Sequence, residues 1–483
     1  MRKVFSVLLV FFFCMQTSWA DNLPNLGGDT AQQILTPAQE REIGEGAMRE
    51  IRRSGELAED PEVVAYLNRL GTRLVEAAGV SDSHFTFFPV LDSTINAFAI
   101  PGGFVGVHTG VIVMAQHESE LASVMAHEIA HVSQHHLARM IDGTRLNPLI
   151  SLASLGVAIL AAHAGSGDAA AAAMTAGMGY NIQKQLDFTY AFEQEADRIG
   201  MQTLTRAGFD PAAMPTFFER LQKVNRLEES NAPEFLRTHP VTFKRIADAQ
   251  ARLKGVPYRQ TPDSTDFLFV REKARGLQMK PADAVDFYRK TLAEKRYSNE
   301  AAHRYGLAHA LYLAGDYDSA WQALQQAKSA LGTAGHPALE FLAGSIRLAQ
   351  GRSAEAVAIF QQAMGRFPAS RALVYGLIDA QTAAAQYDKA LAVITDSLSL
   401  YPGDANFYQR AARIYTKQGL PMQGHKAQGE YYVRLQEYGP AIEQFKLALN
   451  QPGGDFYLLS SIEARLREIE GQYGKEGKAK EMP

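Results

Sequence analysis

Cysteine is almost missing from this chain of 483 residues, where Cys14 is the only one. It sits in an apolar leader, so the rest of the chain forms no disulfide. Any metal site there must be built from histidine and carboxylates. An excess of either charge is missing too, with 48 basic against 52 acidic residues and a net charge of −4. Neither that balance nor any long basic run suits a nucleic-acid binder. The apolar runs are short of the roughly 20 residues that cross a bilayer. What remains is an ordinary globular composition, 46% hydrophobic and 21% charged, over a length that calls for two or three domains.

The leader has its own logic. Arg2 and Lys3 precede an apolar run from Val4 to Met15, and Ser18-Trp19-Ala20 puts small residues three and one places before a cut. That layout predicts a secretory signal peptide over 1–20, cleaved near Ala20, and delivery to the periplasm of a Gram-negative cell. Small residues do not flank Cys14, so no lipid anchor is expected.

Residues 37–80 read as helices, with Val63, Val64, Leu67, Leu70 and Leu74 at helical spacing. Strand chemistry follows in 85–90 and 94–100, and Pro101-Gly102-Gly103 marks a turn before 104–108 resumes the extended pattern. A helix over 118–140 should bury Leu121, Met125, Ile129 and Val132. Residues 147–180 are small and apolar and read as a buried helical hairpin, or else as a cover or membrane-touching element. A further helix spans 189–207. From about 266 the texture repeats: Ala284, Ala320, Ala356 and Ala390 recur at gaps of 36, 36 and 34, and Ala441 follows after 51. Phe287, Phe360 and Phe445 trail their alanines by three or four residues, and Pro368 and Pro402 close two units. A small residue lets two helices approach, an aromatic fills the gap, and proline ends the pair. The period predicts a tetratricopeptide-type solenoid with a concave face for a protein partner.

The chemistry centres on His127-Glu128-Ile129-Ala130-His131. Histidines four apart on a helix project to one side and reach one ion, and Glu128 is placed to take a proton from a water that zinc has acidified. His135 and His136 make the segment histidine-rich, yet only His127 is followed by a glutamate. Two histidines make an incomplete catalytic site. Glu193 and Asp197 share a helical face some sixty residues on, so Glu193 can supply a third ligand while Asp197 accepts the other ring proton of a ligand histidine. Glu195 points elsewhere and reads as a surface carboxylate.

These pieces, with Asn96-Ala97-Phe98-Ala99, Thr238-His239-Pro240 and Arg245, resemble the zinc metallopeptidase family that includes the CAAX prenyl protease, the bacterial heat-shock protease HtpX and a mitochondrial metalloendopeptidase. The resemblance implies one zinc ion per chain held by His127, His131 and Glu193, with Glu128 as the base. It also implies an α-rich α+β fold: a zincin-like metallopeptidase domain with a small β-sheet over 21–262, then an all-α tetratricopeptide-repeat solenoid over 263–483. Asn96 to Ala99 would line the cleft as a strand to which an extended substrate adds. His239 is left open between a turn histidine, an oxyanion donor and a mobile fourth zinc ligand, and Arg245 would hold its loop or steady a carboxylate. His108 reads as structural.

For an exported, repeat-bearing member, the resemblance implies an endopeptidase for unfolded or misassembled outer-membrane proteins. Its repeats would dock substrates or the outer-membrane β-barrel assembly machinery. A chaperone or scaffold acting mainly through the repeats, with little proteolysis, is the alternative.

Overall fold

The computed structural model describes residues 35–80, 84–144, 179–227, 234–255 and 261–481. The leader with its cleavage site, and the 147–178 part of the small-residue segment, lie outside the described residues.

The first two helices start and stop where their ends dictate. Helix α1, Pro37–Ser54, begins at a capping box between Thr36 and Gln39, and helix α2, Pro61–Ala78, begins at Asp60, whose carboxylate accepts from Glu62 N and Val63 N. Each ends at a glycine in the left-handed region, Gly55 and Gly79. Helix α2 buries Val63, Leu67, Leu70 and Leu74 as its spacing requires, while Val64 is only half-buried.

Strands β1 (Thr86–Val90), β2 (Ala97–Ile100) and β3 (Phe104–His108) form one sheet in the order β1-β3-β2. Strand β1 runs parallel to β3 and β2 antiparallel to it, with Thr86 opposite Phe104 and Ala97 opposite Val107. The turn between β2 and β3 needs Gly102 and Gly103 at φ 77° and 83°, and a side chain on Gly103 would strike the His84 carbonyl. This order puts β2 at one edge of the described sheet.

After the short helix α3 (Thr109–Met114) comes helix α4, Glu118–Ser133, the centre of the domain. It is buried on nearly every side, packing Leu121, Met125 and Ile129 among Leu67, Val105, Leu204 and Phe217. The helix expected to reach Met140 stops instead at Ser133. His135 adopts φ 51°, and helix α5 resumes over His136–Thr144. The cause is the end of the core: Val132 and the next three residues are only half-buried, so little packing favours a straight continuation. Val132 accordingly sits in the wall of a cleft rather than in the core.

Helix α6, Gly179–Ala207, lies against α4 and extends further toward the N-terminus than expected. Helices α7 (Ala213–Leu227), α8 (Glu234–Thr238) and α9 (Phe243–Arg252) complete the unit.

The remainder is helical. Helix α10, Thr265–Leu277, serves two cores: Phe267, Val270 and Ala274 pack into the first domain, while Phe269 stacks on His336 and packs with Tyr305 in the repeats. Beyond it, ten helices from Pro281 to Leu449 pair as hairpins, and a long helix, Phe456–Glu481, closes the array. Ala284, Ala320, Ala356, Ala390 and Ala441 are all fully buried, as a small-residue contact demands. Phe360 and Phe445 fill their gaps, but in the first repeat Tyr288 takes that place and Phe287 is only half-buried. The pocket lies four residues after the alanine, and only Tyr288 is at that distance.

Salt links tie the solenoid to the first domain. Buried Lys273 sits 2.6 Å from Asp60 and also pairs with Glu62, while Asp266 pairs with Arg69 and His336 at 2.6 and 2.7 Å. The far end also returns to α1, where Arg52 donates to the Leu435 carbonyl at 3.3 Å.

Candidate active site

His127 and His131 lie one turn apart on α4, facing Glu193 on α6, and the His239 ring enters from the end of α8. Their ligating atoms, with one Glu193 oxygen, all lie within 4.8 Å of one another. His127 Nε2 and His131 Nε2 are 3.0 Å apart, and each is 3.3 Å from a Glu193 oxygen. His239 Nδ1 is 2.9 Å from Glu193 Oε1 and 3.4 Å from His127 Nε2. The loop carrying His239 is pinned: its N–H donates to the Phe235 carbonyl at 2.7 Å, and Phe235 N–H reaches the Ile95 carbonyl.

What turns these nitrogens inward is behind them. His127 Nδ1 is 3.0 Å from Asp197 Oδ1, which leaves Nε2 for the centre. Buried Arg245 donates Nε and Nη2 to the two Asp197 oxygens at 2.8 Å each. Its Nη1 lies 2.8 Å from Glu193 Oε2 and donates to the Pro240 carbonyl at 2.9 Å. One guanidinium thus steadies two carboxylates and the His239 loop, a fork that lysine would not reproduce.

The electrostatics follow from burial and these pairs. Burial opposes charge on His127, yet Glu193 and Asp197 together raise it to about 10. Burial takes the His131 ring the other way, down to about 3. Glu193 is held well below the usual carboxylate range, against burial, by His239 and His127. Burial pushes the Glu128 carboxyl up, as suits a proton acceptor that must work near neutrality. Glu128 Oε1 is buried and accepts no hydrogen bond among the described residues, and the His239 Nε2 atom stands 3.6 Å away. Three imidazole nitrogens crowded on one carboxylate, beside a buried acceptor without a donor, form a set that a divalent cation and a water would satisfy together. The residues present fit a metal ion.

A cleft of about 310 Å³ opens on this cluster, lined by Glu128, His131, Glu193 and His239 and by strand β2 of the sheet. Of the strand expected to meet substrate, Phe98 and Ala99 do line the cleft. Asn96 and Ala97 do not: both are buried, and Ala97 packs into the core of the domain. His108 is buried and shares a 2.9 Å hydrogen bond with Thr94, a structural role.

Two residues escaped the sequence reading. His136 Nδ1 is 2.9 Å from His131 Nδ1, and Glu195 lies 3.2 Å from His136 Nε2 and 2.8 Å from Arg139. Glu195 is therefore not a bland surface carboxylate. The hydrogen bond from His136, and then Arg139, lower it to about 2. Their sequence signal was weak: a histidine five residues past a ligand, and a carboxylate off the ligand face.

Known proteins are similar to this chain in sequence. Residues 61–253 match the model of peptidase family M48, and residues 347–414 match a tetratricopeptide repeat. The β-barrel assembly-enhancing protease of Yersinia pestis is 37% identical over 85% of this chain and 84% of its own. That of Escherichia coli K12 is 38% identical over 70% of this chain and 69% of its own. A mitochondrial metalloendopeptidase of Schizosaccharomyces pombe is 34% identical over 38% of this chain and 50% of its own. The second, helical domain that the repeats predicted is thus found in sequence as well as structure, and no described helix is long and apolar enough to cross a membrane. With the site's geometry and this extent of identity, the chain belongs to the M48 metallopeptidases, among the β-barrel assembly-enhancing proteases, and is a metalloendopeptidase.

Proposed function

We propose that this metalloendopeptidase uses zinc, works in the periplasm after loss of residues 1–20, and cuts unfolded or misassembled outer-membrane proteins. The observation that carries the reading is the cluster of His127, His131, Glu193 and His239 beside the buried carboxylate of Glu128. An all-nitrogen-and-oxygen donor set without thiolate suits a catalytic rather than a purely structural zinc. When bound, zinc acidifies a water and polarises the scissile carbonyl.

The chain's own residues do the rest. Glu128 takes the proton of the attacking water and returns it to the leaving amine. Asp197 holds the Nδ1 proton of His127, and Arg245 holds Asp197 and Glu193. The edge strand β2 pairs with the backbone of an extended substrate, which selects unfolded chain over any one side-chain sequence. His239, through Nδ1, supplies a fourth donor in the resting enzyme and withdraws when substrate or a partner arrives, so the protease is restrained.

Residues 21–262 make the catalytic unit and 263–483 the docking solenoid. The relatives' name supports β-barrel proteins of the outer membrane, or their assembly machinery, as what the repeats engage. Glu128→Gln tests the core of the reading. It should retain one zinc per chain while casein cleavage falls by at least about 10²-fold; undiminished cleavage would sink it. The solenoid also borders a cleft of about 730 Å³ against α2, which favours a second, scaffolding role. If Glu128→Gln supports every cellular role of the parent, that role is the main one.

A further inference from the structure

His131 is served differently from its partner ligand. His127 meets a carboxylate directly, whereas the ring behind His131 is another histidine. Proton accounting along this line gives a single direction. Glu195 is a carboxylate and only accepts, so the nitrogen 3.2 Å from it, His136 Nε2, carries a proton. Neutral His136 then has a lone pair on Nδ1. The atom 2.9 Å from that lone pair is His131 Nδ1, which must carry the proton of the contact. His131 Nε2 is left with its lone pair toward Glu193 and His127.

The surroundings hold this chain in place. His136 is buried and its ring stacks on Phe192, with centroids 4.6 Å apart and planes 19° from parallel. Arg139 donates to Glu195 at 2.8 Å and lies over the same Phe192 ring, 4.8 Å from its centroid. The break in the helix belongs to the device. On an unbroken helix, five residues would turn His136 about 140° away from His131. The left-handed residue His135 reorients the chain so that the two rings meet.

We propose that His136, backed by Glu195 and Arg139, is the positioning residue for the metal ligand His131: by accepting the Nδ1 proton it commits Nε2 to the ion. This rests on His131 being a ligand, as proposed above. The site is then steadied by two carboxylates, Asp197 directly and Glu195 through one imidazole.

The test uses the full-length protein, with zinc as the probe and a chromogenic chelator as competitor. His136→Phe keeps a ring on Phe192 but offers no acceptor; His136→Asn places an amide oxygen close to where Nδ1 was. Loss of such an outer partner costs about 10- to 100-fold in metal affinity, so His136→Phe should fall by that factor while His136→Asn stays within about threefold of the parent. The cobalt-substituted protein should show an altered ligand-field absorption in His136→Phe and a parental one in His136→Asn. Parental affinity in His136→Phe, or an equal loss in both variants, overturns the proposal. Should His136→Phe fail to fold, His136→Asn decides alone, by keeping or losing affinity. His131→Phe is the control for the underlying reading: if it still binds zinc at parental affinity, His131 is no ligand and the site assignment itself fails.

Discussion

Replacing Arg245 by methionine should damage the fold more than any loss of a surface charge. The side chain is buried, at 1% exposure, and holds two buried carboxylates, Asp197 and Glu193. Methionine fills much of the same volume but takes the guanidinium from both acids and leaves them only neighbouring imidazoles, among them His127 and His239. Breaking a buried pair from one side costs about 3–5 kcal/mol, because the abandoned charge stays desolvated, whereas an exposed pair is worth about 0–1 kcal/mol. The assay is equilibrium urea unfolding in chelator, so that a metal cannot replace the lost charge. We expect Arg245→Met to lose about 3–5 kcal/mol. Removing both partners, Arg245→Met with Asp197→Leu, should cost clearly less than the sum of the single losses, with a coupling of about 1–3 kcal/mol. A single-variant loss below about 1 kcal/mol would put Arg245 in the class of exposed pairs and refute the reasoning.

The remaining predictions concern regulation and the domain junction. His239→Ala should raise basal casein cleavage severalfold if the fourth donor restrains the enzyme. A uniform loss of activity with zinc retained would favour the oxyanion role instead. At the junction, the His336 hydrogen bond and Arg69 hold Asp266 at about 2, and on the repeat side, against burial, His303, Arg275 and Arg271 hold Glu272 at about 2. Both folded values are depressed, so their stabilisation is complete above an unfolded carboxylate value of about 4 and is lost as the pH falls from there toward 2. Thermal midpoints should drop across that window, and the drop should be shallower in Asp266→Asn with Glu272→Gln. An unchanged acid slope in that double variant would show that these two groups do not carry the acid sensitivity.

The sequence by itself determined whatever depends on the spacing of residues within one element. Histidines four apart must share a helix face, so His127 and His131 were legible as a pair. Glu193 and Asp197 were legible for the same reason, and the alanine period foretold the helical repeats. Only the tertiary structure decided which elements meet. It set His136 behind His131, because a helix that leaves its core is free to break at His135. It turned Glu195 from an outward carboxylate into the anchor of that line, because α5 folds back onto α6. It chose Tyr288 over Phe287, because the neighbouring helix opens its pocket at one depth only. It also joined the last repeats to α1, through contacts some 380 residues apart in the chain. Periodicity reports a face; what lies across from that face is set by packing among segments that the chain brings together only once it is folded.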